Sequence, residues 1–125
     1  GDMTHALGFS NDLGSRKSSL GLYITAEAYY GKHGYTVRLD GLERGINDNA
    51  RDRMIVLHGA DYVTPERAAS RQVGRSWGCP TVREEVSESL IDTIKEGTAL
   101  WIYYPDSRWL EQSEFLDSDQ LLEAR

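Results

Sequence analysis

Cysteine is nearly absent: Cys79 is the single one in 125 residues. No disulfide can form within the chain, so a disulfide-stapled scaffold is excluded, and a four-cysteine zinc site with it. Proline is scarce, with three. Basic excess is lacking as well. Lys and Arg number 14 against 20 Asp and Glu, and the formal net charge is -6. Broad binding to nucleic acid or to an anionic membrane surface needs a basic face, so neither is expected. No apolar run approaches the ~18 residues of a membrane-spanning helix. No basic, apolar leader opens the chain at Gly1-Asp2-Met3. The expectation is a chain from which a signal peptide has been removed or whose N-terminal part is missing. Internal repeats, low-complexity tracts and linkers are also lacking, which leaves one domain over 1–125. What is present is ordinary for a globular fold: 39% hydrophobic and 27% charged residues.

Twelve glycines and seven tyrosines suggest many turns and aromatic-bearing strands. Residues 10–19 read as a polar loop. Leu20 to Thr25 reads as a strand with Leu20, Leu22 and Ile24 on one face. Tyr29-Tyr30 reads as a second short strand. Gly31-Lys32-His33-Gly34 then forms a four-residue connection into Tyr35–Leu39, where Tyr35, Val37 and Leu39 alternate with Thr36 and Arg38. Asp40 to Arg53 reads as loop, with a short helical turn at 48–52. Met54-Ile55-Val56-Leu57-His58 is a continuous apolar run ended by Gly59, the pattern of a strand buried on both faces. A long connection follows, with a helical turn after Pro65. The clearest helix runs from Val82 to Glu96, with Val82, Val86, Leu90, Ile91 and Ile94 in one stripe. Thr81 and Glu84 have the spacing of a capping box, and Gly97 is placed to terminate. Thr98 to Tyr104 is a further core strand. Beyond Asp106 the chain is acidic and poorly patterned, with a frayed helix expected at 120–125.

The chemistry concentrates around Cys79. It lies in Gly74-Arg75-Ser76-Trp77-Gly78-Cys79-Pro80, just before the expected cap at Thr81. A thiol near a helix N-terminus feels the positive end of the macrodipole, which favours the thiolate and lowers its pKa. Backbone N–H groups of such a loop can receive a developing oxyanion. A nucleophilic thiol also needs a base. His5 sits in an unpatterned terminus, and His33 reads as an ordinary turn residue. His58 ends a buried strand, where it is either a satisfied core histidine or the partner of Cys79 in a thiol–imidazole dyad. Metal ligation is weakly supported, since no further ligands stand at suitable spacing. Glu84-Glu85 reads as helix N-terminal charge rather than as an acid/base pair.

Taken together, Ile55-Val56-Leu57-His58-Gly59-Ala60 and the Gly74–Pro80 loop resemble the signature of L,D-transpeptidase catalytic domains. That signature is a histidine-glycine strand end, a gap, and a serine-x-glycine-cysteine loop. Phe9-Ser10-Asn11, Ser18-Ser19-Leu20-Gly21, Gly31-Lys32-His33-Gly34-Tyr35 and Leu39-Asp40-Gly41-Leu42-Glu43 resemble one branch of it, the murein L,D-transpeptidase-like domains of Gram-negative bacteria. The resemblance spans roughly residues 9–105. Family members carry more sequence before Phe9.

The resemblance implies a mostly-β sandwich or barrel-like domain with mixed sheets and one main helix, which agrees with the strand and helix pattern. It implies a thioester on Cys79, His58 as base, and the Gly59 carbonyl orienting the imidazole. Ser76, Trp77 and Gly78 would shape the loop, with N–H groups of Trp77, Gly78 and Cys79 as the oxyanion hole. The substrate would be a peptidoglycan stem peptide, and neither cofactor nor metal would be needed. Such a substrate is extracytoplasmic, so the expected location is the periplasm or cell envelope. Two departures stand out: Trp77 replaces the usual histidine, and Thr81 the usual arginine or asparagine. Arg75 or Arg83 would then hold the substrate carboxylate. The rival expectations are hydrolysis at the same site, as an L,D-carboxypeptidase or endopeptidase, and a silent wall-binding module with Cys79 buried and inert.

Overall fold

Gly31 and Gly34 pair directly across an antiparallel ladder, so Lys32 and His33 alone form the tip of the first hairpin. The connection is therefore two residues, shorter than the expected four. The computed structural model describes residues 8–70 and 76–116. Its elements are β1 (Gly21–Gly31), β2 (Gly34–Gly41), β3 (Val56–Ala60), α1 (Pro65–Ser70), β4 (Thr81–Arg83), α2 (Glu84–Ile94), β5 (Ala99–Ile102) and α3 (Ser107–Gln112). The strands make one five-stranded sheet in the order β4-β3-β2-β1-β5. All neighbours are antiparallel except β3 and β4, which run parallel. The class is thus mostly β with a mixed sheet and few helices.

Strand β1 is continuous, and the two short strands expected at 20–25 and 29–30 are its two halves. A register shift between Thr25 and Ala28 bends it where the pattern breaks. Its buried face is Tyr23 and Thr25, while Leu22 and Ile24 lie half-buried on the other. Tyr23 can be wholly buried because its hydroxyl has partners. It donates to the Ser19 carbonyl at 2.7 Å and meets the Ser19 hydroxyl at 2.8 Å. The core gathers Tyr23, Val37, Leu39, Ala50, Ile55, Leu57 and Ile91. All five residues of β3 are buried. Gly59 lies inside that strand and does not end it. A Cβ on Gly59 would press into Ser87 of α2, so the glycine lets the helix lie close on the strand.

The helix starts later than its spacing suggests. Thr81 lies in β4, paired with His58, and α2 begins at Glu84 behind Arg83, without a side-chain cap. The open edge of β3 needs hydrogen-bond partners, and residues 81–83 supply them as backbone rather than as a capping box. Within the stripe, Ile91 is fully buried and Leu90 and Ile94 pack on the core. Val86 is exposed, and Val82 belongs to β4. After Ile94, Glu96 and Gly97 take left-handed φ of 60° and 122°. Their N–H groups donate to Ala26 and Thr25 carbonyls at 2.9 Å, docking the helix end on the β1 bulge.

The C-terminal stretch is folded where no pattern was expected. Asp106 caps α3 by accepting from the Trp109 N–H at 3.0 Å. Trp109 is buried and its indole N–H donates to Glu43 at 3.3 Å. The Ser113 hydroxyl also bonds Glu43, which accepts the Leu22 N–H at 2.7 Å. One buried carboxylate thus ties α3 to β1. Residues 44–54 are successive turns, and at the short helical turn expected at 48–52 the Arg53 N–H donates to the Asn49 carbonyl at 2.9 Å. The frayed helix expected at 120–125 lies outside the described residues.

Candidate functional site

The β3–β4 ladder brings the two chemistry-bearing segments together. His58 pairs with Thr81, and its N–H donates to the Pro80 carbonyl at 3.3 Å. The loop carrying Cys79 therefore enters the sheet beside the strand carrying His58. Strand and loop meet as expected, although through a parallel ladder rather than through a helix N-terminus.

The imidazole of His58 is oriented by its own neighbour. Nδ1 lies 2.8 Å from the Gly59 carbonyl oxygen. A carbonyl can only accept, so Nδ1 carries the hydrogen and Nε2 keeps its lone pair. One face of the ring is covered by His33, with centroids 4.2 Å apart and planes 11° from parallel. Both rings line a cavity of about 650 Å³, walled also by Lys32, Asp61, Tyr62, Ser76, Trp77 and Glu84. Burial, with the charges of His58 and Lys32, holds the His33 imidazole below its ordinary pKa.

The loop is held in an unusual shape. Trp77 and Gly78 both have left-handed φ, 54° and 98°. Gly78 is buried, and a Cβ there would strike the Lys17 backbone. Its carbonyl accepts the Ser18 hydroxyl at 3.2 Å. Trp77 is 64% exposed, with the Arg16 guanidinium 4.4 Å above its ring. The Ser76 hydroxyl bonds the Cys79 carbonyl. The Cys79 N–H donates to the Ser76 carbonyl at 3.3 Å, so this N–H is already engaged within the loop.

Cys79 is half-buried and packs against the hydrophobic core. Its sulfur accepts the Val56 N–H at 3.5 Å and donates to the Met54 carbonyl at 3.7 Å. Among the described residues, no hydrogen bond joins Cys79 to His58. Burial pushes the thiol above its ordinary pKa, only partly offset by the Val56 N–H and the charges of Arg53 and Lys32. This reverses the expected depression. The helix that was to supply a dipole begins at Glu84, beyond β4, and the sulfur lies in apolar surroundings.

Of the two expected carboxylate holders, the described residues include only Arg83, which does not line the cavity. Arg75 lies outside the described residues, as does His5. Arg83 is exposed and pairs with Glu85 at 3.3 Å. Among the described residues, Lys32 is the cation on the cavity wall. Sequence reasoning passed over Lys32 and His33 as turn residues. A signal was available: antiparallel pairing of β2 with β3 puts the start of β2 beside the end of β3. Among the described residues, no group of three His, Cys, Asp or Glu is arranged to hold a metal, and no helix is long and apolar enough to cross a membrane.

Residues 1–103 match the family model of the L,D-transpeptidase catalytic domain. No curated protein and no solved structure gives a significant match.

Proposed function

Because the chain belongs to the L,D-transpeptidase catalytic domain family, we propose that it transfers acyl groups between peptidoglycan stem peptides through a thioester on Cys79, with His58 as base. The observation that carries this reading is the 2.8 Å contact between Nδ1 and the Gly59 carbonyl, which leaves Nε2 as the proton acceptor of an imidazole that lines the cavity.

The thiol is held protonated by burial, so ionisation belongs to the reaction rather than to the resting site. The sulfur first turns from Met54 and Val56 toward the cavity. His58 Nε2 takes the thiol proton as sulfur attacks the carbonyl carbon of the donor peptide bond, after the L-centre of a diamino acid. The tetrahedral intermediate collapses, the carbon–nitrogen bond breaks, and the imidazolium gives its proton to the departing D-alanine amine. A thioester remains. The amine of a neighbouring stem attacks it, His58 takes the amine proton, and the thiolate leaves and is reprotonated. Backbone N–H groups at Trp77 and Gly78 serve the oxyanion, their loop preset by two left-handed residues. The substrate places the working protein outside the cytoplasm, in the periplasm or cell envelope.

The test is mass spectrometry of purified muropeptides incubated with the protein. Cross-linked stems that disappear in Cys79→Ser support transfer. Trimmed monomers alone assign the same thioester to hydrolysis. No change in any muropeptide overturns both and leaves a silent wall-binding module.

A further inference from the structure

Two imidazoles share the cavity, and the reaction above uses one. His33 stands at a hairpin tip of two residues, between the paired Gly31 and Gly34. Gly34 takes φ 82° while Lys32 and His33 keep negative φ, so the tip is a tight turn closed by a left-handed glycine. The ladder behind it fixes where His33 stands. Strand β2 then pairs with β3, Thr36 opposite His58. The beginning of β2 is thereby carried to the end of β3 that bears the base. The result is a ring-on-ring contact, 4.2 Å between centroids and 11° from parallel.

Among the described residues, the Gly59 carbonyl alone hydrogen-bonds the His58 ring, along one edge. A single in-plane hydrogen bond leaves the ring free to tilt about that bond. A second ring against its face removes that freedom. We propose that His33 is a positioning residue for this site: its stacked ring holds the His58 imidazole in the orientation that keeps Nδ1 on the Gly59 carbonyl and Nε2 free to take a proton. The proposal rests on His58 being the base. A neutral ring suits the role, because a second imidazolium would repel the one that forms on His58 during turnover. A turn alone does not call for histidine, since central turn positions with negative φ accept most residue types.

The test uses the whole chain with nitrogen-15 histidine, at about pH 8, where ordinary imidazoles are neutral. The wild type should give a His58 ring with a fixed Nδ1–H tautomer. His33→Phe, which keeps a flat ring, should preserve it. His33→Ala should let the signals average between tautomers. In turnover of a tetrapeptide stem, His33→Ala should lower kcat about tenfold with KM changed less than about twofold, and His33→Phe should recover most of the loss. Wild-type tautomer and kcat in His33→Ala overturn the proposal. So does a His33→Phe variant as impaired as His33→Ala. If the wild type turns over no stem peptide, the acyl-transfer reading falls, and the nitrogen-15 spectra alone decide the role of His33.

Discussion

The Cys79 sulfur accepts the Val56 N–H at 3.5 Å, which places the thiol against the strand bearing His58 yet turned to the core. Apolar surroundings favour the neutral thiol, and its pKa is raised. Only the thiolate reacts with iodoacetamide. Cys79 should therefore be alkylated several-fold more slowly than free cysteine at about pH 8.5, where an ordinary thiol is half ionised. The gap should narrow as pH rises further. Mass spectrometry of the labelled chain over time reads both rates. Alkylation faster than free cysteine at about pH 6 would mean that the resting site already stabilises a thiolate.

Helix α2 offers a sharp contrast between neighbouring turns. Ile91 is fully buried in the core cluster that includes Val37, Leu39 and Leu57, whereas Val86 is 44% exposed. Ile91→Ala should cost ~2–5 kcal/mol, and Val86→Ala under about 0.5 kcal/mol. Gly59→Ala should also destabilise, since the new methyl meets Ser87 of the packed helix. Urea unfolding of the three variants measures this. Equal losses at Ile91 and Val86 would place the helix face wrongly.

The proposed acyl transfer predicts that substrate charge is read at the hairpin tip. Lys32 lines the cavity beside His33 and His58, while Arg83 does not line it and pairs with Glu85. An ammonium on the wall suits a donor carboxylate. Lys32→Gln should raise KM about tenfold for a stem ending in a free acid, the loss expected for one charge-assisted hydrogen bond. Its amidated analogue should be much less affected. Arg83→Gln should change neither. The reverse pattern, with Arg83 decisive, would move the carboxylate site to the far side of β4.

Much of this architecture can be read from local pattern. The alternation from Tyr35 to Leu39 and the apolar run ending at His58 appear as β2 and β3, whereas the helix stops at Ile94, before the expected stop at Gly97, with Lys95 as its C-cap. The failures come from partners that local pattern does not show, in backbone pairing and in side-chain hydrogen bonds. Thr81-x-x-Glu84 has the spacing of a capping box, but β3 recruits residues 81–83 as a parallel strand. Leu22 and Ile24 look like a core face, but Tyr23 goes inside because Ser19 satisfies its hydroxyl. His58 and Cys79 stand out in sequence because their residue types and contexts are chemically distinctive. His33 does not, because its significance depends on the partner that the β2–β3 register supplies. Trp109 was equally hidden, as Glu43 lies far from it in sequence.

Tyr23 makes the stability of the fold sensitive to alkali. Its hydroxyl is fully buried, and burial is the main cause that pushes its pKa from 10.0 to about 12. The Ser19 hydroxyl and Arg53 act in the opposite direction, and Glu43 adds to the rise. In the unfolded chain the phenol loses its proton near its ordinary value, while the folded chain keeps it longer. Between those two values the folded state binds more protons than the unfolded, so stability falls as pH rises. The contribution is fully present below pH 10.0 and is lost by about pH 12, the window between the ordinary and folded pKa values. A shift of this size corresponds to about 2–3 kcal/mol. Thermal unfolding followed by circular dichroism should therefore show a steep fall in Tm across that window. Tyr23→Phe removes the titrating group. It should lower Tm at neutral pH, because Ser19 loses its partner, and it should flatten the alkaline fall. If Tyr23→Phe falls as steeply as the wild type, the alkaline loss comes from other groups and Tyr23 is not the buried phenol that sets it.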